Sequence, residues 1–177
     1  MSASHVLTLA EYRAGRRKAL RQVSLCLLLR EDEVLLALKK RGFGVGKWTG
    51  VGGKPEPGEA IEATAVRETE EEIGVTPLDP RRVATLDFFF PYVPDEAWDQ
   101  QVCVYIVRAW RGDPVETEEV APRWFAHDAL PFPAMWSDAP YWLPPLLRGA
   151  PVDGQFIFDE AQEVLEHVLT PTGCYSK

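Results

Sequence analysis

The sequence predicts a mixed α/β sandwich, and two observations carry this prediction. Short apolar segments with the lengths and compositions of buried β-strands recur from Val23 onward. A central helix is predicted early in the chain, and helices and strands mixed in this way bury their apolar faces against one another in layers. The 177 residues are 46% hydrophobic and 26% charged, which is enough to bury a core, and we expect residues 1–177 to form a single domain.

Before the central helix, the sequence predicts a basic N-terminal extension and a β-hairpin. Residues 1–21 make up the extension, in which Thr8 to Arg21 predicts a short helix with Thr8 and Glu11 as a candidate capping box. The two hairpin strands and the strands expected after the central helix are Val23 to Leu29, Val34 to Leu38, Val83 to Phe90, Val102 to Trp110, Arg123 to Ala126 and Gln155 to Phe158. The segment Val164 to Leu169 fits either a strand or a helix.

The central helix is predicted from about Ala60 to Gly74, because glycine is typical of the position just after a helix C-terminus. Glu68, Glu71 and Glu72 stand at positions i, i+3 and i+4 of this helix, so their carboxylates lie on one side. A loop that favours tight turns and close backbone approach precedes the helix. Its glycines and prolines are Gly50, Gly52, Gly53, Pro55, Pro57 and Gly58.

A solvated acidic face is the simplest explanation for this run of glutamates. However, like charges at these spacings destabilise a helix by about 0.2–0.5 kcal/mol per pair, and within the helix only Arg67 offsets them. Glu72 also falls in the same helical sector as Ile61 and Ala65, where a purely solvated charge is not expected. A bound divalent cation with oxygen ligands, such as Mg²⁺, resolves both conflicts.

The same residues form a longer motif that resembles the Nudix hydrolase signature. It consists of Gly, five residues, Glu, seven residues, Arg-Glu, two residues, Glu-Glu, one residue, Gly and an aliphatic residue. In this chain these positions are Gly53, Glu59, Arg67, Glu68, Glu71, Glu72, Gly74 and Val75. Thr69 departs from the pattern at a packing position that is usually aliphatic. The resemblance implies an α/β/α sandwich around a mixed sheet and hydrolysis of a nucleoside diphosphate linked to another group, with Mg²⁺ or Mn²⁺ as cofactor.

The resemblance also implies roles for individual residues. Glu68, Glu71 and Glu72 would be metal ligands, and one of them would help to deprotonate water. Arg67 would orient a glutamate through a bidentate pair, and Gly52 would join the metal ligands. Glu59 fits either an outer metal contact or an acid favoured by the helix dipole in the first helical turn.

An aromatic segment near the end of the chain, Pro131 to Leu147, indicates a base-binding site. Trp136 offers a flat face for stacking, worth about 1–3 kcal/mol per base, and Asp138 can accept N–H donors from a guanine-like edge. The neighbouring Tyr141 and Trp142 fit equally well as residues that cap the core.

These features resemble the eukaryotic MutT homologues that hydrolyse oxidised purine nucleoside triphosphates such as 8-oxo-dGTP to the monophosphate and pyrophosphate. The resemblance covers Ser24 to about Leu169 and includes KKRGFGVGKW at Lys39 to Trp48 and PVETEEVAPRWF at Pro114 to Phe125. It implies a base pocket, phosphate-contacting lysines, and Glu119 as a further metal ligand or base. The substrate-binding residues would be Phe43, Thr49, Phe88, Trp136, Asp138, Lys39 and Lys54. Thr49 and Ala139 replace an Asn and an Asp of those homologues, which predicts fewer polar contacts to a purine.

A glycine-rich stretch imitates a phosphate-binding loop but fails in detail. Gly42, Gly44 and Gly46 precede Lys47, yet Trp48 stands where a Walker motif needs Ser or Thr. We expect a flexible lip beside the site, in which Lys39, Lys40 or Arg41 contacts phosphate.

Two alternative functions are open. Pro91 lies near the position of a proline in ADP-ribose pyrophosphatases, although it fits equally well as the end of a strand. The chain could also be a regulator on a Nudix fold that binds a nucleotide without cleaving it, but the intact glutamates disfavour this.

Charge and composition limit the possible partners. The net charge of −8 argues against binding a nucleic acid polymer, since polyanions need a cationic surface, so the expected partner is a small nucleotide. No apolar run approaches the roughly 20 residues of a membrane span, and no signal peptide is evident. Cys26 and Cys103 lie in apolar runs and are expected to be buried free thiols, and His5, His127 and His167 are too scattered for a zinc motif. We expect a cytoplasmic monomer.

Overall fold

The computed structural model describes residues 7–173 as an α/β/α sandwich. Three α-helices are present in this part of the chain, α1 Leu9–Gly15, α2 Ile61–Ile73 and α3 Ala139–Leu147. Ten strands accompany them: β1 Arg21–Arg30, β2 Glu33–Lys39, β3 Trp48–Thr49, β4 Thr76–Leu78, β5 Arg81–Phe89, β6 Gln100–Val107, β7 Ala109–Arg111, β8 Val120–Ala126, β9 Val152–Phe158 and β10 Val164–Pro171.

The main sheet is mixed, as predicted. Within residues 7–173 it has eight strands in the order β10-β9-β5-β6-β1-β2-β3, with β8 paired to β2. Strand β1 runs parallel to β6 and β5 runs parallel to β9, while the other pairs are antiparallel. Strands β4 and β7 form a separate two-stranded sheet.

Side chains that alternate along β1 build the cores on the two faces of the sheet. Leu27 packs on one face in a cluster with Leu143 and Leu146 of α3. Leu28 packs on the other face in a cluster with Ala65 and Ile73 of α2. The helices therefore lie on opposite faces, which confirms the predicted three-layer fold.

The local signals for the hairpin and for α2 are confirmed. Strands β1 and β2 are antiparallel, with Arg30 opposite Glu33. Helix α2 ends at Gly74, whose φ of 72° is a left-handed conformation that glycine adopts at little cost. Its N-terminal neighbour Ala60 contributes no side-chain cap.

The predicted bounds of the basic helix and of the strand from Val102 are wrong. The basic helix was expected to reach Arg21 but ends at Gly15, because Arg16 is already extended and Arg21 begins β1. The capping box between Thr8 and Glu11 is present, and residues 1–6 of the predicted extension, including His5, lie outside the described part of the chain. The strand predicted from Val102 to Trp110 is two strands, because the chain leaves the main sheet at the exposed Arg108 and pairs with β4.

Helix α3 was not predicted, because Pro144 and Pro145 stand in its interior. Proline removes a backbone donor and disfavours an interior helical position by about 3 kcal/mol. Trp142, Leu143 and Leu146 are nevertheless buried by this helix, and their packing against the sheet overrides the local preference. The undecided segment near Val164 is strand β10.

The remaining expectations concern thiols and membrane spans. Cys26 and Cys103 are buried free thiols, as predicted, and burial raises the pKa of Cys26 to about 11. Between residues 7 and 173, no helix has the length and apolarity needed to cross a bilayer.

Candidate active site

The glycine loop before α2 lies against β1 and against the acidic helix. The N–H of Ser24 donates to the carbonyl of Gly53 at 2.8 Å, and Cys26 and Val51 exchange two backbone hydrogen bonds of 2.6 and 3.1 Å. A Cβ at Gly52 would overlap the carbonyl of Ser24, and one at Gly53 would overlap the carboxyl group of Glu68. Only glycine permits this approach of backbone to carboxylate.

Glu72 points into the interior at the base of this loop. Its side chain is buried, and its Oε2 accepts the N–H of Gly52 at 3.0 Å. Burial raises the pKa of Glu72 to about 7, Gly52 and Lys39 oppose this rise, and the nearby charges of Glu68 and Glu119 add to it. A cation beside this carboxylate would favour its ionised form.

Arg67 connects the other signature glutamates. Its Nε and Nη2 donate to Oε1 and Oε2 of Glu59 at 2.8 and 2.9 Å, which is a bidentate pair. Its Nη1 donates to Glu68 at 2.9 Å and to Glu71 at 3.1 Å, and its Nη2 also reaches the carbonyl of Lys54 at 3.1 Å. One guanidinium therefore fixes three carboxylates relative to the loop.

Glu59 is fully engaged by this arrangement. Besides Arg67, its Oε2 accepts the N–H of Glu56 and the hydroxyl of Thr64, each at 2.9 Å. The hydrogen bonds from Arg67, followed by the one from the Glu56 backbone, lower the pKa of Glu59 to about 2. Glu59 thus braces the loop and Arg67, which is a role that neither sequence interpretation included.

The acidic side chains do not form a closed cluster in this conformation. Glu68 and Glu71 form ion pairs with Arg67, while Glu119 forms an ion pair with Arg41 of the lip. Across residues 7–173, no three His, Cys, Asp or Glu side chains are arranged to hold a metal ion without rearrangement. The donor set nevertheless fits a hard cation, because it consists of carboxylates around the buried Glu72 and beside the Gly52 backbone. Metal binding by these residues remains a prediction.

A cavity of about 320 Å³ extends from Glu72 to the aromatic segment. All seven of the predicted substrate-binding residues border it, namely Lys39, Phe43, Thr49, Lys54, Phe88, Trp136 and Asp138. Gly52 also lies on its wall. Sequence reasoning missed the polar residues Ser24 and Gln100, which line the same cavity from β1 and β6. The signal for Ser24 was a single polar residue within an apolar strand.

Trp136 is covered by the predicted lip, the loop that contains Gly42, Gly44 and Gly46. Its ring stacks on Phe43 with centroids 5.0 Å apart and planes at 25°, and the Nζ of Lys47 lies 5.0 Å from its centroid. Gly44 has a φ of +79°, and a Cβ there would approach the Trp136 indole nitrogen to 3.2 Å. The loop predicted to be a flexible lip is closed by a hydrogen bond of 2.8 Å from the N–H of Gly46 to the carbonyl of Lys39.

The three basic residues expected to contact phosphate, Lys39, Lys40 and Arg41, have different surroundings. Lys39 borders the cavity, whereas Lys40 and Arg41 are paired with Glu116 and Glu119. Of these three basic residues, Lys39 is therefore the one that borders the cavity in this conformation.

Asp138 borders the cavity and is almost completely buried. Its Oδ2 accepts the indole N–H of Trp142 at 2.6 Å. Burial raises the pKa of Asp138 to about 6, against the opposing effects of Trp142 and Lys47. Of the two residues left open, Trp142 packs in the core and supports Asp138, while Tyr141 is exposed and contacts His167.

The departures noted in the sequence have clear positions. Thr49 lies on β3 and borders the cavity, and Ala139 is buried as the first residue of α3. Pro91 follows the end of β5 and begins a loop, so its position agrees with the strand-end interpretation.

Comparisons with known proteins agree with this geometry. A model of the NUDIX domain matches residues 19–146. The oxidized purine nucleoside triphosphate hydrolase of Mus musculus is 38% identical over 149 residues, which cover 84% of this chain and 94% of the relative. The enzyme of the same name from Danio rerio is 40% identical over 149 residues, which cover 83% and 92%.

Among solved structures, a MutT protein from Bacillus halodurans superimposes with a TM-score of 0.74 at 24% identity, covering 87% of this chain and 100% of that structure. This neighbour shows the shared fold. Nudix hydrolases generally need a divalent metal ion and act on small nucleotide derivatives, which agrees with a cavity flanked by carboxylates. From the domain match and the two relatives, this chain belongs to the Nudix family and is a hydrolase of phosphoanhydride bonds.

Proposed function

We propose that this protein is a Mg²⁺-dependent pyrophosphohydrolase that cleaves oxidised purine nucleoside triphosphates, such as 8-oxo-dGTP, to the monophosphate and pyrophosphate. The observation that supports this most strongly is that a single cavity is bordered both by Trp136 and Asp138 and by Glu72 and Gly52. Such a cavity fits a purine whose phosphates extend toward the acidic helix. The function in the cell would be sanitation of the nucleotide pool, as the names of the two vertebrate relatives also suggest.

At the base end, Trp136 would stack on the purine, with Phe43 and Phe88 as further apolar contacts. Asp138 would accept hydrogen bonds from ring N–H groups, and the hydroxyl of Thr49 adds a weaker polar contact. Because burial raises the pKa of Asp138 to about 6, the carboxyl group can change protonation near neutral pH when a base arrives.

At the phosphate end, Glu68, Glu71, Glu72, Glu119 and the carbonyl of Gly52 would hold Mg²⁺, with Mn²⁺ as a substitute. When bound, the cation would neutralise phosphate charge and lower the pKa of water. Glu119 would have to exchange its pairing with Arg41 for the cation. Lys39 and Lys54 both border the cavity and would contact phosphate.

Proton transfer would be the task of the signature glutamates. Water would attack phosphorus, the bond to the bridging oxygen would break, and pyrophosphate would leave. Glu71 would accept the proton of the attacking water, because it is the most exposed carboxylate of the three and is held by Arg67 through one hydrogen bond of 3.1 Å. Arg67 would act as a positioning residue by holding the carboxylates of Glu68 and Glu71 in fixed positions relative to each other.

The proposal also includes the domain organisation, the oligomeric state and the location of the protein. Residues 1–177 would act as one domain and as a cytoplasmic monomer. The net charge of −8 disfavours a nucleic acid polymer as partner.

The decisive test compares hydrolysis of 8-oxo-dGTP, dGTP and ADP-ribose under the same conditions, with identification of the products. We expect 8-oxo-dGTP to give the monophosphate and pyrophosphate with the highest kcat/KM. A preference for ADP-ribose would replace the proposal by a nucleoside diphosphate-X pyrophosphatase. Nucleotide binding without turnover of any substrate would indicate a regulator.

A further inference from the structure

We propose that the N-terminal segment Leu9 to Arg21 positions the base pocket by clamping the loop between β5 and β6. This inference rests on the proposed function and adds to it a group of residues outside the family motif. The NUDIX match begins at residue 19, so Tyr12 and Arg16 lie outside the matched region.

The clamp begins with Asp99, a carboxylate that is almost completely buried at the end of the β5–β6 loop. Its Oδ2 accepts the hydroxyl of Tyr12 at 2.9 Å and the Nε of Arg16 at 2.8 Å. Its Oδ1 accepts the N–H of Phe90 at 2.8 Å. Asp99 therefore joins the N-terminal segment to the end of β5, and loss of Arg16 would leave a buried charge without its cation.

The segment also holds the strained part of the loop. Asp95 and Glu96 have φ values of 59° and 54°, which are unfavourable for residues with side chains. The carboxylate of Glu96 accepts the N–H groups of Arg17 and Lys18 at 2.8 and 3.0 Å, and the Nζ of Lys18 donates to the carbonyl of Asp95 at 2.8 Å. These contacts fix a backbone conformation that local preference disfavours.

The clamped loop carries Trp98, which packs against the base pocket. The ring of Trp98 meets Phe43 edge to face, with centroids 5.0 Å apart, and meets Phe90 at 6.0 Å. Phe43 in turn stacks on Trp136, and both residues border the cavity. The chain of contacts from Arg16 through Asp99 and Trp98 thus ends at the two rings that would hold the purine.

Apolar packing keeps the segment in place independently of these polar contacts. Leu9 is buried in a cluster with Phe89 and Ile157, and Tyr12 meets Phe89 at 5.9 Å. A change at Arg16 should therefore loosen the loop while the segment stays docked.

The test compares Arg16→Ala with Arg17→Ala, a neighbouring exposed arginine whose contact to the loop uses only its backbone N–H. Edge-to-face aromatic contacts predict a rise in KM for 8-oxo-dGTP of about two- to tenfold in Arg16→Ala, with little change in kcat. Arg17→Ala should behave as the parent protein. A fall in kcat at unchanged KM, or equal effects of the two variants, would overturn the proposal.

Hydrogen exchange without nucleotide provides a readout that does not depend on the proposed substrate. In Arg16→Ala, exchange should rise in the peptide over residues 91–99 and in the peptide over residues 42–47, which contains Phe43. A rise confined to 91–99 would refute coupling to the pocket. If the parent cleaves no purine triphosphate, the proposed function fails, while the exchange measurement still decides whether the clamp exists.

A second variant guards against a general loss of stability. Trp98→Leu removes the edge contact to Phe43 and leaves Asp99 and Arg16 unchanged. It should reproduce the rise in KM, and a parent-like KM in this variant would contradict the last step of the argument.

Discussion

The buried carboxyl group of Asp138 should cost folding stability, and Asp138→Asn should recover it. The pKa rises from its ordinary value of 3.8 to about 6, chiefly through burial. Because the folded-state pKa of this acid is raised, its contribution to stability is fully present below pH 3.8 and is lost as the pH rises through about 6. This difference corresponds to about 3 kcal/mol of unfolding free energy above that range.

The asparagine keeps the contact that Asp138 makes with Trp142, since its carbonyl oxygen can accept the indole N–H. We therefore expect Asp138→Asn to be more stable than the parent by about 3 kcal/mol at pH 8 and by roughly half as much at pH 5. Urea unfolding at a series of pH values measures the gap. Asp128→Asn removes an exposed carboxylate by the same chemical change and is the matched control.

A constant gap between Asp138→Asn and the parent from pH 5 to pH 8 would refute the reasoning, because no titration of a buried carboxyl group would then be linked to folding. The same variant should lose at least about tenfold in kcat/KM for 8-oxo-dGTP at pH 8, since hydrogen bonds to a charged group contribute about 1.5–3 kcal/mol. Stability gained together with activity lost would show that the carboxylate is retained for binding.

Further predictions concern three other positions of the site. Trp136→Ala should raise KM for purine triphosphates about five- to hundredfold through lost stacking, and steady-state kinetics with an unchanged KM would remove the stacking proposal. Gly53→Ala should reduce kcat strongly because its Cβ would displace the carboxyl group of Glu68, and activity equal to that of the parent would show that this approach is unimportant. Arg67→Lys cannot make the bidentate pair with Glu59, so kcat should fall about ten- to hundredfold with little change in KM, and a change confined to KM would assign Arg67 to substrate binding instead.

Local patterns were sufficient for the acidic helix and for two residues of the cavity. Glu68 and Glu71 could be placed on one side of α2 because the helical repeat and Gly74 fix that side and the helix end. Trp136 and Asp138 were recognised from the aromatic segment itself, whereas Phe43 and Phe88 came only from the family resemblance. The fold brings all four to the same cavity as Glu72.

Contacts between distant segments could not be predicted in the same way. The pair between Arg67 and Glu59 depends on how the glycine loop folds back over α2, which no periodicity encodes. Asp99 reaches Arg16 across 83 positions of the chain, and its burial follows from tertiary packing alone. Helix α3 was missed for a related reason, because packing of Leu143 outweighs the prolines that follow it.

The most direct test of the account is calorimetric titration of the protein with Mg²⁺ in the presence of the nucleoside monophosphate product. The parent should bind Mg²⁺, and the combined replacement of Glu68, Glu71 and Glu72 by glutamine should abolish the heat of binding while nucleotide binding persists. Identical heats of Mg²⁺ binding in the two proteins would contradict the claim that the acidic helix holds the catalytic cation.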